Sequence, residues 1–142
     1  MISGGTHLPR PRTSAEEIRR FESGAIAPVA FKHADHIRMA WHYLQEMPLL
    51  DALPRYGRGL LALATRAGRP DRYHETITWA FMFVIHERML EAPDVEYETF
   101  SDRNPDLFEW PGGPLGRYYR PETLQSERAR RSFVMPDRIE GA

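Results

Sequence analysis

The sequence predicts an all-α fold: a compact single-domain bundle of about five helices with a loop-rich C-terminal third. Three observations predict it. Apolar residues recur at helical spacing over several long segments, capping residues precede these segments, and Gly or Pro ends most of them. Alternating strand patterns are scarce. We expect one domain over residues 13–138, preceded by a flexible N-terminal arm at 1–12 that carries two glycines and two prolines.

The predicted helices cover residues 15–23, about 33–47, about 51–67, 71–91 and 121–134. Thr13 or Ser14 caps the first, and Asp71 caps the fourth. Gly57 and Gly59 weaken the middle of the third helix, which indicates that a neighbouring backbone packs closely there. The fourth helix is so apolar in its middle that we expect it to run through the centre of the domain, with a buried strand as the alternative.

Composition excludes several classes of function. The chain has 142 residues, 19 basic and 20 acidic side chains, a net charge of −1 and no cysteine. Disulfides, thiolate metal sites and cysteine nucleophiles are therefore excluded, and no overall charge attracts nucleic acid. There is no phosphate loop, no dinucleotide fingerprint and no serine-hydrolase elbow. No apolar run is long enough to span a membrane, so we expect a cytoplasmic protein with no membrane or nucleic-acid partner.

Histidines occur at the start of the second predicted helix. His33 and His36 are spaced i, i+3, so both project from one face. His42 is nine residues beyond His33, which turns it to the opposite side of the helix. Asp35 points away from the line of the pair and is the weaker carboxylate candidate. The sequence therefore indicates a two-histidine cluster at this helix start, with His42 belonging to the fold or the surface.

A second histidine group occurs at the start of the fourth predicted helix. His74 is followed directly by Glu75, whereas His86 lies about 18 Å further along a straight helix. No single ion is within reach of both histidines. His7 lies on the N-terminal arm, where we expect it to be solvated. One cluster is left, in which His74 joins the pair from the second helix.

This cluster has the donors of a metal site. His33, His36 and His74 with one open coordination position suit a divalent transition metal, zinc as the first choice and iron or copper as alternatives. Glu75 is then a fourth ligand or a general base. Without a metal, His74 and Glu75 are candidates for direct acid–base catalysis. Thr78, one turn after His74, is placed to orient its imidazole.

Non-functional interpretations exist for the same residues. A histidine pair at a helix start is also typical of a polar, solvated first turn, and the helix dipole favours Glu75 in its position without any catalytic role. His42 and His86 are more typical of structural residues. What favours a functional site is that two such polar groups occur at the starts of the two most apolar helices.

The C-terminal segment is rich in arginine, with five arginines against two glutamates between positions 117 and 131. Tyr118, Tyr119, Arg128 and Arg131 are candidate substrate-binding residues, because arginines with such spacing form clamps for carboxylates or phosphates. A solvated helix face, with arginines paired to nearby acids, is the alternative.

Three motifs resemble a pattern found in a group of small bacterial helical proteins. They are F-x-H-A-D-H-x-R-x-A-W, R-Y-H-E-T-I-T-W-A-F and A-R-x-x-F-V-x-P-D, and the resemblance spans about residues 30 to 137. It implies a shared pattern and no particular activity.

The sequence thus leads to one functional hypothesis and two rivals. The leading one is a metal-dependent or acid–base enzyme acting on a small polar or anionic substrate. The first rival is a small-molecule binding or accessory protein that uses the same pocket without turnover. The second is an interaction protein with purely structural histidines. An apolar all-α domain of this size also permits a homodimer.

Overall fold

The computed structural model describes residues 10–138. Most of the predicted arm, including His7, lies outside these residues, as do the last four positions. Within the described range the chain forms seven α-helices, five of them with seven or more residues, and no strand, which confirms the all-α prediction. The α-helices are α1 (Ser14–Glu22), α2 (His33–Glu46), α3 (Leu49–Arg66), α4 (Glu75–Glu91), α5 (Tyr97–Arg103), α6 (Pro121–Leu124) and α7 (Glu127–Arg131). Short 3₁₀ turns cover Pro28–Ala30, Pro70–Arg72, Pro105–Phe108 and Gly113–Arg117.

Local hydrogen bonds define the starts of α1 and α2. At α1, the Thr13 hydroxyl accepts from the Glu16 N–H at 3.1 Å, and the Glu16 carboxylate accepts from the Thr13 N–H at 2.8 Å. This reciprocal capping box satisfies two backbone donors that a helix start leaves free. At α2, the Asp35 carboxylate accepts from the Lys32 N–H at 2.9 Å. Asp35 is therefore engaged at the helix start and does not line the cavity described below.

Helix α4 runs through the centre, as predicted, and is not a strand. It contacts α2, α3, α7 and the turn at Gly113–Arg117, and Met82 and Ile85 on it are fully buried. A helix that is apolar on all sides is stable only when other elements surround it. One boundary was predicted wrongly. Helix α4 begins at Glu75 with His74 as its cap, because Pro70–Arg72 forms a separate turn instead of the first turn of the helix.

The two glycines of α3 do accommodate close neighbours, but these are side chains rather than backbone. A Cβ atom on Gly57 would lie 2.8 Å from the Tyr73 hydroxyl oxygen. A Cβ atom on Gly59 would overlap the ring of Phe21, which is buried between α1 and α3. The missing side chain at each position lets an aromatic residue from another element pack against the helix.

The C-terminal third is more broken than predicted. The expected helix over 121–134 is divided into α6 and α7, because Ser126 leaves the helix and starts a new one, its hydroxyl accepting from the Ala129 N–H at 3.2 Å. The carbonyl of Leu124 at the end of α6 accepts a hydrogen bond from His74. Within residues 10–138, no helix has the length and apolar character needed to cross a membrane.

Candidate functional site

A cavity of about 400 Å³ lies between α2, α3 and α4. This volume is in the range of pockets that hold small organic molecules. Its walls are mostly apolar, with contributions from Phe31, Leu60, Leu63, Ile77, Phe81 and Met82. The polar side chains that line it are His33, His36, Tyr56, Arg72, Tyr73, His74 and Thr78. The two helix starts identified from the sequence therefore meet at one cavity, and all three predicted histidines line it.

His74 has both of its ring nitrogens occupied by the protein. Nδ1 accepts from the Ile77 N–H at 3.1 Å, which caps α4, and Nε2 lies 2.6 Å from the carbonyl oxygen of Leu124. A carbonyl oxygen only accepts, so the proton is on Nε2 and the ring is the neutral Nε2–H tautomer. Burial lowers the pKa of His74, and the hydrogen bond to Leu124 opposes this shift. His74 thus ties α4 to the end of α6.

Only one of the two ring nitrogens of His33 has a hydrogen-bond partner in the described chain. Its Nε2 lies 2.8 Å from the carbonyl oxygen of Leu107, so that nitrogen carries the proton and Nδ1 is left as an acceptor in the neutral ring. The ring stacks on Trp110, with centroids 5.7 Å apart, and meets the edge of Phe81 at 5.4 Å. His33 therefore holds the loop around Leu107 and Trp110 against the start of α2.

His36 is the histidine whose ring is not tied to the protein. It packs against Phe31, with centroids 4.7 Å apart, and its ring makes no hydrogen bond within residues 10–138. No buried side-chain nitrogen or oxygen in that range lacks a hydrogen-bond partner, so the ring nitrogens of His36 are accessible to solvent, and His36 lines the cavity. Burial and the neighbouring His33 lower the pKa of His36 to about 4, with Asp35 opposing the shift. The imidazole is uncharged at neutral pH.

Glu75 lies beside the cavity and reaches it through a tyrosine. The hydroxyl of Tyr73, which lines the cavity, donates to the Glu75 carboxylate. Burial and this hydrogen bond raise the pKa of Tyr73. Thr78 also lines the cavity, but it does not orient His74 as predicted, because the amide of Ile77 and the carbonyl of Leu124 already use both ring nitrogens. The polar group at this helix start is therefore a Tyr73–Glu75 pair with Thr78 close by.

This arrangement does not fit a metal centre that uses all three imidazoles. A ligating histidine needs a free ring nitrogen, and His74 has none. In the described part of the chain, no group of three or more His, Asp or Glu side chains is placed to hold a metal ion. The zinc, iron or copper site stays a prediction that this geometry does not support.

Comparisons with protein-family models, with curated proteins and with solved structures found no match. The resemblance to small bacterial helical proteins stays a prediction, and the functional argument depends on the geometry of the cavity.

The predicted C-terminal substrate clamp lies elsewhere. None of Tyr118, Tyr119, Arg128 and Arg131 lines the cavity. The Tyr119 side chain is buried, with its hydroxyl donating to the Val134 carbonyl at 2.7 Å, and Arg131 pairs with Glu127 at 3.1 Å. The expectation that these side chains close over the histidines is corrected: the segment approaches His74 through the Leu124 carbonyl, which leaves its tyrosines and arginines outside the cavity.

The side chains of the cavity that were not predicted from the sequence include Arg72, Tyr73 and Trp110. Arg72 and Tyr73 stand just before His74, and their place beside the histidine motif was the available signal. Trp110 comes from a distant loop, 77 positions after His33 in the chain (110 − 33), and nothing in its local sequence indicated the contact.

The remaining described histidines lie away from the cavity. His42 is buried on α2, its Nδ1 is 2.8 Å from the Ser14 hydroxyl, and its ring stacks on Tyr97. Burial lowers its pKa. His86 lies near the other end of α4 and does not line the cavity. The prediction that His42 lies on a different side of α2 from His33 and His36 is confirmed.

Proposed function

We propose that the protein binds a small, mostly apolar organic molecule in the cavity between α2, α3 and α4. The observation that carries this proposal is His36. It is an uncharged imidazole with accessible ring nitrogens, and it lines a cavity of about 400 Å³ that is otherwise mostly apolar. Such pockets bind ligands by apolar contact and use a few polar groups for orientation. His36 supplies one donor and one acceptor for that purpose.

The other two histidines of the cavity support the shape of the pocket. His33 holds the Leu107 carbonyl and His74 holds the Leu124 carbonyl, so each fixes a loop-rich segment against a helix start. A pocket whose walls are held this way before the ligand arrives loses less conformational entropy on binding.

A fragment screen with a cavity-filling variant tests the proposal. Ala64 on α3 lines the cavity and is half-buried, whereas Ala62 on the same helix is exposed and does not line it. Ala64→Leu should occupy part of the cavity, and Ala62→Leu is the matched control, since leucine suits both helical positions. We expect organic fragments to bind the wild type and Ala62→Leu equally in ligand-observed NMR, and to bind Ala64→Leu at least tenfold more weakly. Fragments that bind all three proteins alike would contradict the proposal.

The role of His36 is tested by His36→Gln, with His86→Gln as the control because His86 does not line the cavity. Loss of one hydrogen bond to the ligand should weaken fragment binding by about tenfold. We expect that loss in His36→Gln alone. Unchanged affinity for every fragment in both variants would show that His36 does not contact the ligand.

An acid–base enzyme is the second candidate. The observation that favours it is the Tyr73–Glu75 hydrogen bond at the same cavity as the uncharged His36. A carboxylate beside the cavity and an uncharged imidazole in its lining can each accept a proton from a bound molecule, which is how general-base chemistry begins. Deuterium incorporation from D₂O into carbon-bound positions of the bound fragments would identify this activity. It should be lost in Glu75→Gln or His36→Gln, and fragments that bind without any exchange would favour binding alone.

A further inference from the structure

The cavity has an uneven distribution of charge. Arg72 is the one Arg or Lys side chain among its described lining residues, and no Asp or Glu lines it. Two carboxylates close to Arg72 in the chain are engaged elsewhere: Glu75 accepts from the Tyr73 hydroxyl, and Asp71 forms hydrogen bonds with Arg69. The lining therefore presents one cation and uncharged polar groups.

Arg72 itself makes no ion pair with another residue in the range 10–138, whereas Arg69, three positions earlier, pairs with Asp71 at 3.4 Å. A further arginine nearby also has protein partners. Arg130 pairs with Glu127 at 2.7 Å and donates to the Asp71 carbonyl at 3.3 Å. Arg72 thus keeps its guanidinium donors for a group that enters from solvent.

Polarity changes with depth in the cavity. Arg72 is exposed, so it belongs to the open side. Met82 and Ile85 are fully buried and form the inner side, next to Leu60 and Leu63. A molecule that fills this space would place its apolar part inside and any charged group near the solvent.

We propose that the ligand is an organic carboxylate with an apolar body, its carboxylate held by Arg72 and its body packed between α3 and α4. This inference rests on the proposed function. A planar guanidinium matches a carboxylate with two parallel hydrogen bonds, which a lysine does not provide. The N–H of the neutral His36 ring is a further donor in the lining of the same cavity.

Phenylbutyrate and its neutral amide, phenylbutyramide, are suitable probes because they have the same shape and differ in charge. Binding is measured by titration calorimetry and by the fluorescence of Trp110, which lines the cavity. We expect the carboxylate to bind the wild type about tenfold more tightly than the amide, because a hydrogen-bonded pair with an exposed arginine contributes about that factor. The difference should shrink as salt is added, since the pair lies near solvent.

Arg72→Gln should remove the preference for the carboxylate and leave the affinity for the amide unchanged. The matched control is Arg128→Gln, which changes an exposed arginine that does not line the cavity. Arg128 is also one of the two arginines predicted from the sequence to bind an anion, so the two variants compare the predicted anion site with the one proposed at Arg72. We expect Arg128→Gln to bind both probes like the wild type.

Two outcomes would overturn the inference. One is equal binding of carboxylate and amide to the wild type, and the other is a preference that persists in Arg72→Gln. Either leaves the proposed function standing if the probes fail to bind Ala64→Leu, because the cavity would then still be the binding site, without a carboxylate held by Arg72. If neither probe binds the wild type, the inference is overturned as well, and the fragment screen judges the proposed function separately.

Discussion

The starts of α2 and α4 bring histidines to the same cavity but use them differently. At α4, both ring nitrogens of His74 are bonded to the backbone, one within the helix and one across to Leu124. At α2, the His36 ring has no such partner in the described chain, and it faces the cavity. The same residue type therefore has different roles near the two helix starts: His74 stabilises the structure, as His33 does, whereas His36 is available for binding. Spacing identifies the helix starts, while the tertiary partners decide the role.

The largest expected effect concerns His74. Replacing it with Ala removes the cap of α4 and leaves the Leu124 carbonyl without its donor. We expect a loss of about 2–3 kcal/mol in the free energy of unfolding, measured with urea. His74→Asn should recover about 1 kcal/mol, because asparagine is a good cap but is too short to replace both bonds. Equal losses in the two variants would show that His74 does not cap the helix.

The pH dependence of stability should report the burial of His36 on α2. The folded pKa of His36 is about 4, below the ordinary value of 6.5. Between these values the unfolded chain binds more protons than the folded one, so stability falls as pH falls through this window. His42 and His74 shift in the same direction. We expect His36→Gln to reduce the loss of stability between pH 7 and pH 5 by about 2 kcal/mol. A loss as large as that of the wild type would contradict the burial of His36.

The two glycines of α3 offer a comparison of the cavity with the core. Gly57→Ala should displace the Tyr73 hydroxyl from Glu75, while the better helix propensity of Ala keeps the net change in stability below about 1 kcal/mol. Gly59→Ala should cost about 1–3 kcal/mol, because the Phe21 ring is buried and has little room to move. Fragment binding should change only in Gly57→Ala. If both variants alter fragment binding alike, the binding site is not limited to the side of α3 that packs against Tyr73.

The smallest expected effect is that of metal ions. A metal held by the folded protein at one hundred times its Kd would add about 2.7 kcal/mol of stability. Because both ring nitrogens of His74 are occupied, we expect no shift of Tm on adding zinc to untagged protein, and none on adding a chelator. One zinc per chain, lost in both His36→Gln and His74→Gln, would contradict the geometry and restore the three-imidazole site.

The sequence predicted the fold better than the use of the site. Caps and prolines placed α1, α2 and α3 within about two residues, because these signals act locally. The i, i+3 rule brought His33 and His36 to one face, and the two apolar helices brought His74 to the same cavity. Which ring nitrogens are free could not be predicted, since the carbonyls of Leu107 and Leu124 are backbone groups far away in the chain.

The predicted anion clamp failed for a related reason. Arg128 and Arg131 do share one helix, α7, but Arg131 pairs with Glu127 and neither arginine lines the cavity. Arg72 was overlooked because an isolated arginine in a turn has no pattern, and only the three-dimensional structure shows that the cavity beside it has no carboxylate in its lining.

The different roles of His74 and His36 are tested most directly by the ¹⁵N NMR spectrum of the histidine rings with and without bound phenylbutyrate. We expect His74 to show the Nε2–H tautomer in both samples with little change, because its two partners are backbone groups. We expect the ring signals of His36 to shift on binding, since His36 lines the cavity and its ring nitrogens are accessible. A spectrum in which His74 responds to the probe while His36 does not would contradict the assignment of the binding role to His36.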